Sequence, residues 1–270
     1  MSTNTNTYLV PHDFSEVGDA ATQQALFIAR QTFSNVMLLH ITKNESAIAP
    51  AEIKLKEIIS KLNLTPKDPK VTGIARKGSI FEDINKMAQE LDAHLIVMGT
   101  HGAKGMQKVF GSYAMKVVTS SSVPFLIVQN RPAIKKINRI VAPINLSKES
   151  LQIINYAADL ASVFNSEIHV VGEDHSDPRL SKQIANRVIL VKKQFADRSM
   201  QSKVELLKGA GSFQKKVTDY CQKNNADMIA IAHYNESVIQ FNNFAQSMLT
   251  NELGIPVLIV SAKEVSFGYF

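Results

Sequence analysis

The chain has 270 residues, room for one large domain or two modest ones that each bury a core. Its 45% apolar and 20% charged composition is that of an ordinary globular protein and excludes a disordered, collagenous or coiled-coil chain. The net charge of +6 is shared by both halves, and its dense pairs (Lys135–Lys136, Lys192–Lys193, Lys215–Lys216) read as solvated surface, so no nucleic-acid partner is expected.

The opening MSTNTNTYLV has neither the basic nor the apolar region of a signal peptide. No apolar run approaches the roughly 18 residues of a membrane helix, so the expectation is a cytoplasmic protein without a membrane partner. Tyr8–Val10 reads as a short strand, and Val17, Ala21, Ala25, Ile28 and Ala29 then recur at helical spacing. Val36–Ile41 is a second strand, followed by a helix from about Pro50 to Leu62. Val71–Arg76 has strand character. Ser79-Ile80-Phe81-Glu82 is a capping-box pattern that opens a helix with Ile84, Met87, Ala88 and Leu91 on one face. His94–Met98 is a continuous apolar strand, Gly99–Gly111 a glycine-rich loop, and a helix carrying Tyr113, Val117 and Val118 leads to a last strand at Phe125–Val128.

The order then repeats. Pro11, Asp13 and Ser15 match Pro143, Asn145 and Ser147 at an offset of 132, and Val123-Pro124-Phe125-Leu126-Ile127-Val128 matches Ile255-Pro256-Val257-Leu258-Ile259-Val260 at the same offset. Gly78-Ser79 matches Gly211-Ser212 at 133. Ordered matches at a near-constant offset imply two copies of one domain, 1–130 and 137–262, joined near Gln129–Lys136. Strands alternating with helices predict an α/β fold: two tandem copies of a doubly wound, mostly parallel five-stranded sheet flanked by helices. Such sheets bind ligands outside the carboxyl ends of their strands, at the switch point of strand order.

The strongest chemical signal is Gly99 through Ser112, which leaves a buried strand and runs into a helix. Glycines let backbone amides approach an anion, and a helix N-terminus adds unpaired N–H groups and partial positive charge. Lys104 and Lys108 stand within reach of such an anion or in solvent. The stretch matches neither the P-loop nor GxGxxG. Read without further context, it is equally a plain connecting turn.

Pro11-His12-Asp13 at the end of the first strand, with Gly99-x2-Gly102-x8-Gly111-Ser112 after the fourth, makes the chain resemble the tandem universal stress proteins. The resemblance covers nearly the whole chain twice over. In copy one it departs by a spacer of 8 residues where the family has nine, a shortening Gly105 can absorb. It implies the Rossmann-like fold of the adenine-nucleotide alpha-hydrolases and a site for ATP or another adenine nucleotide. Asp13, after Pro11, would accept from the base or ribose, and Ile41 and Met98 would flank the adenine. Gly99 and Gly102, beside His101 and Gly105, would line the ribose and phosphates. Gly111, Ser112 and the amide of Tyr113 would hold the phosphate tail, with Mg2+ bridging the phosphates. The family also pairs its last strand edge to edge, which implies an internal pseudo-dimer of the two copies and admits a homodimer.

Copy two departs further: Asn145 replaces Asp13, Ala232 and Asn235 replace Gly99 and Gly102, and Asn243-Phe244 replace Gly111-Ser112. It is expected to keep the fold and bind no nucleotide. His12, His40 and His101 lack the tight spacing of a metal site. Cys221 reads as a buried apolar residue, and Phe267, Tyr269 and Phe270 as a tail that docks or frays. No catalytic constellation is visible and the loop has no arginine, so a stress-response regulator with at most slow ATP hydrolysis is expected. Against it stand a nucleotide-free scaffold acting through dimer or partner contacts, and a true ATPase or adenylate-transferring enzyme.

Overall fold

The computed structural model describes residues 6–100, 117–118, 120–129, 136–146, 149–233 and 240–261. It divides into two units, Met1–Lys135 and Lys136–Phe270.

In the N-terminal unit, β1 (Thr7–Pro11) leads into α1 (Glu16–Thr32), and β2 (Asn35–Thr42) into α2 (Ile48–Ser60). Then come β3 (Val71–Lys77), α3 (Ile80–Glu90), β4 (Ala93–Thr100) and β5 (Phe125–Gln129). The strands are all parallel and lie in the order β3-β2-β1-β4-β5. Order runs one way from β1 to β3 and the other way from β1 to β5, so the switch point falls between β1 and β4. Every residue of β5 is buried, as a parallel strand covered on both faces requires.

Local chemistry explains the helix starts. Ser15 caps α1, its hydroxyl oxygen accepting from the Gly18 N–H at 3.3 Å. Asp83 reaches back from the first turn of α3 to accept from the Ser79 N–H at 2.6 Å. The second helix begins at Ile48, two residues before the expected Pro50. Pro50 then sits in the first turn, where no intrahelical partner awaits its missing N–H. The fourth strand is also longer than expected: Gly99 and Thr100 pair with Val128 and Gln129, so Gly99 belongs to the sheet and not to the loop.

The C-terminal unit repeats the pattern with β6 (Arg139–Ile144), α4 (Gln152–Phe164), β7 (Glu167–Glu173) and α5 (Pro178–Asp197). It continues with β8 (Ser202–Leu207), α6 (Phe213–Lys223), β9 (Met228–His233), α7 (Gln240–Leu249) and β10 (Val257–Ser261). Its strands are parallel in the order β10-β9-β6-β7-β8, the counterpart of the first sheet. Cys221 lies fully buried on α6, and burial pushes its thiol up to about 12. Among the described residues no helix is long and apolar enough to cross a membrane.

Candidate functional site

Beyond the carboxyl ends of β1, β2 and β4 lies a cavity of about 200 Å³ at the switch point of the N-terminal sheet. Pro11 and Asp13 border it from β1 and the turn after it, Ile41 from β2, and Met98 and Gly99 from β4. Five of the residues singled out in the sequence thus converge on one space. The other six, His101, Gly102, Gly105, Gly111, Ser112 and Tyr113, lie outside the described residues, as do Lys104 and Lys108.

Sequence reasoning missed part of the lining. Ile80 and Ile84 reach the cavity from α3, Gly18 from the first turn of α1 and Leu39 from β2, whereas His12 and His40, which also border it, were expected near the strand ends around the pocket. The walls are mainly apolar, with the Asp13 carboxylate and the two imidazoles as side-chain polar groups. Burial works against ionising Asp13, but hydrogen bonds from the Ser15 hydroxyl and from the Ser15 N–H at 3.1 Å outweigh it. The Asp13 carboxyl is therefore held below its ordinary range and is ionised near neutrality. Ser15 couples this group to the helix, since the same hydroxyl that donates to Asp13 accepts from Gly18.

His12 is buried, and burial lowers its basicity, with the nearby Asp19 carboxylate opposing in part. Its Nδ1 accepts from the Phe14 N–H at 3.0 Å, which leaves the proton on Nε2, 3.2 Å from Asp19 Oδ1. His40 Nδ1 donates to the His12 carbonyl oxygen at 2.7 Å. Phe14 has a left-handed backbone at φ 65°, and its ring packs on His40 with centroids 4.1 Å apart. Lys54 Nζ lies 5.3 Å from the centre of the same ring. The ring nitrogens named here serve intramolecular bonds, and among the described residues no three His, Cys, Asp or Glu gather as a metal site.

Two glycines matter here through close approach. A Cβ on Gly99 would stand 2.4 Å from the Val17 carbonyl oxygen, so β4 could not lie this close to the start of α1 with any side chain there. A Cβ on Gly18 would stand 2.9 Å from the His12 ring, which occupies that space instead. Gly99 therefore borders the cavity for a packing reason as well as the backbone-access reason read from the sequence.

At the counterpart place in the C-terminal unit, Glu173 replaces Ile41 and its Oε1 receives Lys216 Nζ at 2.9 Å. Phe213 replaces Ile80 and stacks on Phe244, with ring centroids 5.5 Å apart and planes 14° from parallel. Gly172 stands in place of His40, Asn145 in place of Asp13, and Ala232 in place of Gly99. One member of the ion pair, Glu173, and one of the aromatic stack, Phe213, thus take positions whose equivalents line the first unit's cavity.

Residues 5–129 match the model of the universal stress protein family. Universal stress protein G of Salmonella typhimurium is 25% identical over 142 positions, covering 46% of this chain and 98% of that protein. The protein of the same name from Escherichia coli O157:H7 has the same identity and coverage. Among solved structures, a universal stress protein from Archaeoglobus fulgidus aligns with a TM-score of 0.73 at 18% identity, over 97% of this chain and 100% of that one. At that identity the likeness is one of fold.

Proposed function

We propose that the N-terminal unit, whose residues 5–129 match the universal stress protein family, binds ATP or a related adenine nucleotide and acts as a stress-response regulator in the cytoplasm. One observation carries the reading: an ionised carboxylate and two apolar walls, Asp13 against Ile41 and Met98, meet in a cavity at the sheet's switch point. A flat base gains from apolar walls on its faces, and a carboxylate at the edge accepts from an amine or a ribose hydroxyl. Thr100 ends β4 beside this cavity, and the glycine-rich stretch leaves from there in the sequence. Its amides would hold the phosphate tail at the following helix start, with Mg2+ neutralising the phosphates.

The described cavity contains no paired carboxylates and no arginine, so the reading is of a binding protein with at most slow hydrolysis. The C-terminal unit, with its ion pair and aromatic stack, is read as a nucleotide-free partner domain within an internal pseudo-dimer. The test is the melting temperature of the full chain with rising ATP. A ligand that binds the native state raises stability by mass action, by about 2.7 kcal/mol at a hundred times its dissociation constant. Asp13→Ala is expected to weaken that shift by about tenfold in apparent affinity. An unmoved melting temperature at millimolar ATP would reject the proposal in favour of a scaffold.

A further inference from the structure

We propose that His40 is a specificity-determining residue that reads the exocyclic amine of the bound base and rejects bases with a keto oxygen at that position. The proposal rests on the nucleotide reading above and adds to it the group that discriminates among nucleotides.

His40 Nδ1 lies 2.7 Å from the His12 carbonyl oxygen. A carbonyl oxygen only accepts, so Nδ1 carries the proton, and the neutral ring then has a lone pair at Nε2. The ring plane is braced by Phe14, tilted 31° at a centroid separation of 4.1 Å, and the residue borders the cavity with Asp13 and Ile41. The second side-chain polar group on this wall, the Asp13 carboxylate, also only accepts when ionised. The His12 ring does not alter the pattern, because its nitrogens are bonded to the Phe14 N–H and held against Asp19.

A wall whose side chains accept and do not donate selects a ligand edge that presents N–H groups. An adenine amine supplies two. A hypoxanthine oxygen at the same position sets lone pair against lone pair and leaves a buried acceptor on each side without a donor. In the C-terminal unit the position of His40 is Gly172, so the acceptor disappears together with the other features of the site.

The test compares ATP with inosine triphosphate on the full chain by calorimetry, in the wild type and in His40→Phe. Phenylalanine keeps a flat ring for Phe14 to pack on and removes the acceptor. The wild type is expected to bind ATP about tenfold or more tightly than inosine triphosphate, and His40→Phe to bring the two within about threefold. This ratio is a readout that a purely structural role of His40 would not move, since loss of folding weakens both ligands alike. Equal binding by the wild type, or an unchanged ratio in the variant, overturns the role of His40 and leaves the nucleotide site standing. Failure of the wild type to bind ATP overturns both. If His40→Phe does not melt cooperatively, His40→Leu, which likewise lacks an acceptor, is read by the same ratio, expected to fall, with an unchanged ratio overturning the assignment.

Discussion

At the carboxyl edge of its sheet the N-terminal unit has a cavity walled by Ile41, Met98 and Ile80 with Asp13 at its border, whereas the C-terminal unit has Glu173, paired with Lys216, in place of Ile41 and Phe213, stacked on Phe244, in place of Ile80. The sheets have the same strand order and the same parallel pairing. The difference shows that the fold and the site are separable: the alternation of buried strands and amphipathic helices is enough for the former, while the latter depends on a handful of positions at strand ends. A glutamate in place of Ile41 brings a partly buried charge into the unit, and Lys216, 2.9 Å away, offsets its cost.

The comparison can be broken most sharply by counting sites. Calorimetric titration of the full chain with ATP is expected to give one nucleotide per chain, and two would end the distinction between the units. Next in size is Gly99→Ala. Its methyl group would meet the Val17 carbonyl oxygen at 2.4 Å, so β4 and α1 must part. A loss of about 1–3 kcal/mol is expected, seen as a melting temperature several degrees lower, together with weaker ATP binding. The reverse change in the other unit, Ala232→Gly, is expected to cost less than about 1 kcal/mol. If the two substitutions cost the same, the close approach of β4 to α1 is not what distinguishes the units.

Smaller again is Lys216→Ala. The pair is partly exposed, with side-chain accessibilities of 12% and 29%, so a loss of about 1 kcal/mol is expected, read as a lower urea midpoint at unchanged slope. The smallest effect is on pH dependence. Burial lowers the basicity of His12 in the first unit and of His169 and His233 in the second, opposed at His12 by Asp19 and at His169 by Glu167. Below the ordinary histidine value of 6.5 the unfolded chain takes up protons that the folded chain refuses. Stability is therefore whole above that value and declines as pH falls toward the lowered folded-state values. Melting at pH 7.5 and pH 5.5 is expected to show less of this slope removed by His12→Gln than by His169→Gln combined with His233→Gln.

Much of this was legible in the residues. Offsets of 132 and 133 expose the duplication because each match marks a place where a strand ends or a turn begins. The family resemblance put Pro11, Asp13, Ile41 and Met98 at one site, and parallel strands, which bring their carboxyl ends together, explain why they share one edge. Ile80 and Ile84 were read only as capping and core positions, since whether α3 overhangs the strand ends depends on tertiary packing. Gly18 did leave a trace: glycine is a poor helix former, and one in the first turn after the Ser15 cap signals a close neighbour, here the His12 ring. The role of His40 required its hydrogen bond to the His12 carbonyl, a contact 28 residues apart in sequence that no local pattern reveals.

The sole cysteine gives the second unit its own clock. Cys221 is inaccessible on α6 and its thiol is held at about 12, so an alkylating reagent at neutral pH can react only when that helix lifts from its sheet. Trapping of the native thiol therefore times the opening of one half of the molecule. Repeating it with ATP present reports how far occupancy of the other half is felt there.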